Sequence, residues 1–346
     1  MKIHSSYLHK IFKVVFLVVL FTSHQDCDFL FALPQGQSVE SGSATFENPD
    51  PNTLVVTTAD KTVVNFSSFN IAANESVRFI QPSIDSFVLS RVTGNDPTHI
   101  YGNLYTNGNL MLVNPNGINI DATGVVQANS FIASTLNVST NNFIAGNYIL
   151  AHDGAGFNKV LNEGTITGKD VALVGSSAEN RGVIVSEVGT VHLISGDKTT
   201  VSFDQRGLIQ IEINEATSGK VFNPDGSTVK DAVANSGTIQ AHEVIMSAKT
   251  ASDIFENAVN QSGIVRATVV TNENGVIKFT AANETKATAN DSKIKVGGTL
   301  DAGQGSTQIT TDGSVEVATP LVATGDLTVK ADYNIQVNAD VTVNSG

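Results

Sequence analysis

The stretch Asn162-Glu163-Gly164-Thr165-Ile166 returns as Asn180-Arg181-Gly182-Val183-Ile184 and again as Asn235-Ser236-Gly237-Thr238-Ile239. A looser copy sits within Asn260-Gln261-Ser262-Gly263-Ile264-Val265. The first two copies are 18 residues apart and the last two about 25. The first three are each followed by a second apolar run, at Val171–Val174, Val191–Ile194 and Val244–Met246. Short strands repeating at a period near 20 residues point to a β-solenoid, in which each coil stacks its strands in parallel on those of the next. Alternating Val, Ile and Leu would fill the interior while Thr, Ser, Lys and Glu face out. The glycine is expected at a corner with positive φ. The asparagine before it would either tolerate left-handed backbone or stack as a ladder between coils.

The same rhythm runs outward in both directions. Thr53–Thr57, Thr62–Phe66, Val77–Ile80 and Phe87–Leu89 are short β-rich runs separated by Asn, Asp, Gly and Pro. Gly313–Val317, Gly325–Val329 and Asp340–Val343 continue it, and the chain stops in mid-rhythm, so a longer protein is expected. The gap between Gly182 and Gly237 holds the strand-like Thr199–Ile213, which reads as an irregular coil plus an extra hairpin. One helix is expected, at Ser252–Asn257, capped by Ser252 or Asp253. With 346 residues, 29 glycines, no tryptophan and 15% charged residues, the composition is that of an elongated β-protein. A stack of immunoglobulin-like sandwiches would need longer units and commonly a core tryptophan.

Lys2, Lys10 and Lys13 precede the apolar run Val14–Phe21, which suits a secretory signal and is too short for a stable membrane span. The preferred cleavage is after Ala32, giving a start at Leu33-Pro34-Gln35-Gly36; a cut nearer Ser23 is the alternative. The single cysteine, Cys27, falls in the removed segment. Removing three lysines, Asp26 and Asp28 leaves a net charge of −14. Such a chain is not expected to bind nucleic acid or an anionic membrane through bulk charge.

Residues 33–150 carry a series of motifs in order. Leu33-Pro-Gln-Gly-Gln is followed by Asn65-Phe-Ser-Ser-Phe69-Asn70-Ile71, then Val77-Arg-Phe-Ile-Gln81-Pro82 and Val88-Leu-Ser-Arg91-Val-Thr-Gly94. Ile100-Tyr-Gly-Asn-Leu104 leads to Asn107-Gly108-Asn-Leu-Met-Leu-Val-Asn114-Pro115-Asn116-Gly117-Ile118. Ala133-Ser134-Thr-Leu-Asn137 and Phe143-Ile-Ala-Gly-Asn147 close the block. This series resembles the N-terminal secretion domain of two-partner secretion exoproteins, the filamentous-haemagglutinin-like proteins. Some members carry a second motif, Asn-Pro-Asn-Leu, before Asn-Pro-Asn-Gly-Ile; this chain lacks it, and Ser90 stands where Asn is usual.

The resemblance implies an all-β, right-handed parallel β-helix with N-terminal capping strands and extra-helical hairpins. It implies residues 1–32 as signal, 33–150 as the secretion domain and 151–346 as continuing coils. The implied partner is an outer-membrane TpsB-type barrel transporter with periplasmic recognition domains, and the implied place is the surface of a Gram-negative bacterium or its medium. Asn114, Pro115, Asn116, Gly117 and Ile118 would form the secretion motif. Asn65, Phe69, Asn70, Gln81, Pro82, Arg91, Gly94, Asn107, Gly108, Ala133 and Ser134 would support it.

Read from chemistry alone, Asn114–Gly117 is a β-turn with Pro at i+1 and Asn-Gly suited to positive φ. Both readings hold if Asn114 and Asn116 are structural first and recognitional only indirectly. An adhesin with a host-cell or glycan receptor is the expected cargo, and a monomer the expected state. The delivery stalk of a larger toxin and a carbohydrate-active β-helix are the alternatives. An enzyme of the last kind would need clustered carboxylates. Asp85, Asp121, Asp153 and Asp204 are scattered, His152-Asp153 is an adjacent His/acid pair, and His99, His152, His192 and His242 show no metal-ligand spacing. No enzyme activity and no cofactor are therefore expected.

Overall fold

The computed structural model describes residues 33–154, 156–267, 274–284 and 291–345. The expected signal segment, residues 1–32, lies outside the described residues. From residue 53 the chain winds as a three-sided parallel β-helix. One side, the open face, stacks strands at 53–58, 76–80, 103–106, 125–127, 165–167, 183–185, 238–240 and 264–266, each in parallel register with the next. A second side, the covered face, stacks strands at 62–66, 87–92, 109–113, 130–134, 170–175, 190–195, 243–250 and 276–283. The third, the ladder face, stacks 98–100, 118–120, 159–162, 177–180, 231–235 and 257–261. Strands at 294–311 and 315–331 bend through all three sides, and 335–337 and 341–344 end the described stack. Right-handed winding is the sense that parallel crossovers take in nearly every sheet.

The repeated isoleucine is the core. Leu104, Val126, Ile166, Ile184, Ile239, Val265 and Leu300 pair rung on rung up the open face, each at most 1% exposed. The repeated asparagine forms the ladder. Asn162 Nδ2 donates to Asn180 Oδ1 (2.7 Å), Asn180 to Asn235 (2.8 Å) and Asn235 to Gln261 Oε1 (2.9 Å), all four side chains being buried. A buried amide must find partners, and the side-chain amide one coil up supplies one.

The repeated glycine departs from expectation. Gly164, Gly182, Gly237 and Gly263 do not have positive φ. Each lies under the carbonyl of the glycine one coil back: a Cβ on Gly182 would sit 2.2 Å from Gly164 O, and one on Gly237 2.2 Å from Gly182 O. Glycine is required there because two coils touch, not because one coil turns.

The alternation of in and out also fails on the covered face, where residues 109–113, 130–134, 170–175 and 190–195 are buried throughout. A second apolar cluster explains it. Met111, Val113, Ile132, Ala172, Val174 and Ile194 point away from the helix core and meet Phe143, Tyr148, Leu150, Val201 and Ile209. The latter residues come from two insertions that leave the helix after this face. The first carries a helix, Thr140–Ala145, with Ser139 as N-cap and Gly146 (φ 77°) as C-cap, and the strand Tyr148–Ala151. The second is the expected hairpin, Lys198–Phe203 against Ile209–Glu215. Together they form a three-stranded antiparallel sheet outside the helix.

The helix expected at Ser252–Asn257 is not formed. Asp253 is left-handed (φ 61°), and Asn257 already starts a strand. At the N-terminus, Ser38–Ser41 pairs antiparallel with Thr62–Phe66 and Ala44–Asp50 with Thr53–Thr58, closing the first coil as capping strands.

The Asn-Pro-Asn-Gly turn and its bracket

Asn114–Gly117 is a β-turn closed by Gly117 N–H to Asn114 O (3.1 Å), joining the covered face to the ladder face. Pro115 takes i+1, where its fixed φ fits. Asn116 does not have positive φ; only Gly117 does (φ 117°). Asn114 is fully buried and every polar atom of it is used. Its Nδ2 donates to Asp96 O and Thr98 Oγ1 (both 3.0 Å), and its Oδ1 accepts from Asn116 N (3.0 Å). Its backbone N–H donates to Ser134 O one coil up (3.0 Å). Asn116 reaches the other way, Nδ2 to Gly94 O at 2.9 Å. Asn158 Nδ2 holds Pro115 O (2.8 Å) from the coil above. Ile118, wholly buried, begins the next strand between Thr98 and Val160. The turn thus rivets three successive coils.

The supporting residues form a second rivet around Arg91. Its guanidinium pairs with Glu40 of the capping strand (2.7 Å) and donates to Val138 O (2.6 Å), Asn137 Oδ1 (3.1 Å), Thr140 Oγ1 (3.3 Å) and Asn65 Oδ1 (3.4 Å). Arginine suits this place because five fixed donors can serve several acceptors at once. Glu40 is held below the usual carboxylate range, chiefly by the Thr140 hydroxyl, then by Asn65 and Arg91, against partial burial. Cap, first coils and the inserted helix therefore meet at one charge.

A third clasp joins Gln81 and Asn107. Gln81 N donates to Asn107 Oδ1 (2.7 Å) while Asn107 Nδ2 donates to Gln81 O (2.8 Å). Gln81 Nε2 donates to Thr106 Oγ1 (2.8 Å) and Asn109 O (3.0 Å). Gly108 lies under that amide, where a Cβ would sit 2.8 Å from it. Phe69 is core, edge-on to Phe66 at 5.2 Å, and Asn70 Oδ1 accepts His99 N–H at 2.8 Å. Gly94 passes under Ser67 O, 2.1 Å from where a Cβ would stand. Ala133 is buried in the core, and Ser134 ties its hydroxyl to the backbone of Leu136 (2.9 Å). Pro82 is exposed and joins none of these networks.

Sequence reading missed Glu40 and Thr140, whose partner stands 49 to 51 residues away, and quoted Asn137 in a motif without giving it a role. It named His99 and Asp121 separately and missed their pairing: His99 Nδ1 lies 3.2 Å from Asp121 Oδ2, and the ring stacks on Tyr101. Burial, then Asp121, pushes the Tyr101 phenol up. His152 is stacked on Phe157 with ring centroids 4.4 Å apart. Among the described residues no three His, Cys, Asp or Glu side chains gather as a metal would need, and no helix is long and apolar enough to cross a membrane.

Comparison with known proteins agrees with this geometry. The TPS secretion domain pattern matches residues 31–298. A heme/hemopexin-binding protein of Haemophilus influenzae is 29% identical over 280 residues, which is 78% of this chain and 29% of the relative. A second heme/hemopexin-binding protein of that species is 28% identical over 276 residues, 72% of this chain and 28% of the relative. The chain thus spans less than a third of the length of the curated relatives it matches. The crystal structure of the HMW1 secretion domain from Haemophilus influenzae superposes with a TM-score of 0.72 at 25% identity, over 90% of this chain and 83% of that one.

Proposed function

The chain belongs to the TPS secretion domain family, and from that premise we propose that it is the N-terminal part of an adhesin. A TpsB-type outer-membrane barrel transporter, with periplasmic recognition domains, exports it to the surface of a Gram-negative bacterium or the medium. Residues 1–32 act as signal, 33–150 engage the transporter and 151–346 continue the helix. The observation that carries this is the burial of Asn114. In the folded chain that side chain has no free atom to offer, so a transporter that depends on the motif reads it before folding. The chain then threads the pore unfolded and winds outside. The outer membrane has no ATP, and rung-by-rung burial at about 25 cal/mol per Å² of apolar surface opposes back-sliding. The turn, bridging three coils, sets the first closed rungs.

The test is expression in a Gram-negative host with and without the partner barrel, assaying the medium for folded, protease-resistant protein. Partner-dependent export that falls in Asn116→Ala is expected, and equal export without the barrel refutes the reading. Pro115→Ala separates the two roles: export retained with slower folding makes the turn structural, whereas normal folding with lost binding to the transporter's periplasmic domains makes it a direct contact.

Similarity to heme/hemopexin-binding proteins favours a second cargo, haem acquisition, in the longer protein. Binding of haemin or hemopexin by the full-length exoprotein, beside binding to host cells and glycan arrays, separates it from adhesion. No catalytic role is proposed for these coils.

A further inference from the structure

Glu75 lies at the mouth of the first coil and is 9% exposed. Its Oε2 accepts Ala72 N–H at 2.8 Å, and its Oε1 accepts the backbone N–H of Leu33 at 3.2 Å. Among the described residues no lysine, arginine or histidine forms an ion pair with it. A buried carboxylate held only by neutral amides is costly. The amide that reaches Glu75 belongs to the first residue after the expected signal cleavage, Ala32–Leu33.

The segment carrying that nitrogen is fastened along its length. Leu33 is 7% exposed and joins the main apolar cluster. Gln35 pairs its backbone with Ser68 (3.0 Å) and accepts Ser67 N–H (2.8 Å), while its Nε2 donates to Leu33 O (2.6 Å). Gly36, at φ 64°, lets the chain pass against Ser67. Beside Leu33 and Glu75 is a cavity of about 260 Å³ lined also by Gln35, Asn48 and Pro51.

We propose that cleavage of the Ala32–Leu33 bond creates an N-terminal ammonium that ion-pairs with Glu75 and locks the mouth of the β-helix. A signal peptidase hydrolyses the peptide bond; one water is consumed, Ala32 takes the carboxylate and Leu33 the ammonium. The single N–H···O contact becomes charge-assisted, and Glu75 gains its missing cation. Leu33 lines the adjoining cavity, where water can meet the two added N–H groups. The cut thereby does more than release the leader: only the processed chain carries the charge that seats its own first residue. This rests on the signal segment ending at Ala32 and not on the export reading; partner-independent export would leave it standing.

Mass spectrometry of the secreted protein comes first, and Leu33 is expected as its first residue; any other start overturns the proposal. The chain from Leu33 to Gly346 is then prepared with a free and with an acetylated N-terminus, each as wild type and as Glu75→Gln. The free amine is expected to raise the wild-type melting midpoint by roughly 2–4 °C and to leave Glu75→Gln unmoved. An acetylation effect of equal size in both backgrounds, or none in wild type, overturns it. Because the comparison is between differences, a Glu75→Gln chain that is itself less stable still answers the question.

Discussion

Asn114 is the residue where turn chemistry and coil stacking meet. Asn114→Ala removes the donors to Asp96 O and Thr98 and the acceptor for Asn116 N, leaving buried groups unmatched. A loss of about 2–3 kcal/mol is expected, read as a lower urea midpoint. Asn114→Asp should be no better, since it loses the donor and buries a charge. Asn116→Ala, which gives up chiefly the bond to Gly94 O, should cost about 1 kcal/mol. The turn was legible because Asn-Pro-Asn-Gly has few other local uses, but its bonds were not, since Asp96, Thr98 and Ser134 stand in neighbouring coils. The repeated glycine shows the same limit. Its position could be read from sequence, whereas its reason is a carbonyl one coil away. Gly237→Ala must therefore separate coils, and a loss larger than the ~1 kcal/mol typical of exposed glycine changes is expected. Tolerance of that substitution without a shift in the urea midpoint would show that the stack can yield.

At the scale of elements, the covered face is where pH should act. His192 is wholly buried there, donating from Nε2 to Ile209 O of the outer hairpin (2.9 Å), while Nδ1 has no partner among the described residues. Burial lowers its pKa to about 4, with the Ile209 bond and Glu243 opposing and Lys278 adding to the fall. The unfolded imidazole titrates near 6.5. Its contribution is complete above that pH and is lost as pH falls towards 4, roughly 3 kcal/mol in all. Asp170 has the opposite sense. Burial raises its pKa against the Thr190 bonds, so its contribution is present at low pH and fades as pH rises through the raised value. Comparing wild type with His192→Leu cancels Asp170. From pH 7 to 4.5 the wild-type urea midpoint should fall relative to the variant's, and parallel curves would refute the assignment. The hairpin itself was legible in the long gap between Gly182 and Gly237. Its docking was not read, although runs such as Val171-Ala-Leu-Val174, apolar on both sides as a strand covered twice must be, carried the signal. The helix was misplaced because Ser252-Asp253 reads like a cap, while the true cap, Ser139 with Gly146, brackets only six residues with one buried side chain.

For the whole molecule, the repeat announced the β-helix because each coil asks the same residues to do the same thing: isoleucine fills, asparagine bonds upward, glycine makes room. What it could not announce was the order of assembly, which depends on contacts between coils and insertions. The only cysteine in the sequence is Cys27, within the expected signal. On the proposed export route the chain passes a narrow pore unfolded and gains from having nothing to cross-link, and this can be tested by adding a cross-link. Ile149 and Thr200 face each other in the antiparallel outer sheet, both partly exposed and on separate insertions. Neighbouring antiparallel strands bring Cα atoms within the span a disulfide bridges. Ile149→Cys with Thr200→Cys would close a loop of about 50 residues in the oxidising periplasm. Export through the partner barrel should then fail in oxidising medium and recover with a reductant. Either cysteine alone should export normally under both conditions. Once reduced chains are outside, oxidation should form the same bridge without loss of protease resistance, because the folded geometry accepts it. Export of the oxidised double variant at the wild-type rate would mean that the chain crosses as a loop or a folded body, and unfolded threading would have to be abandoned.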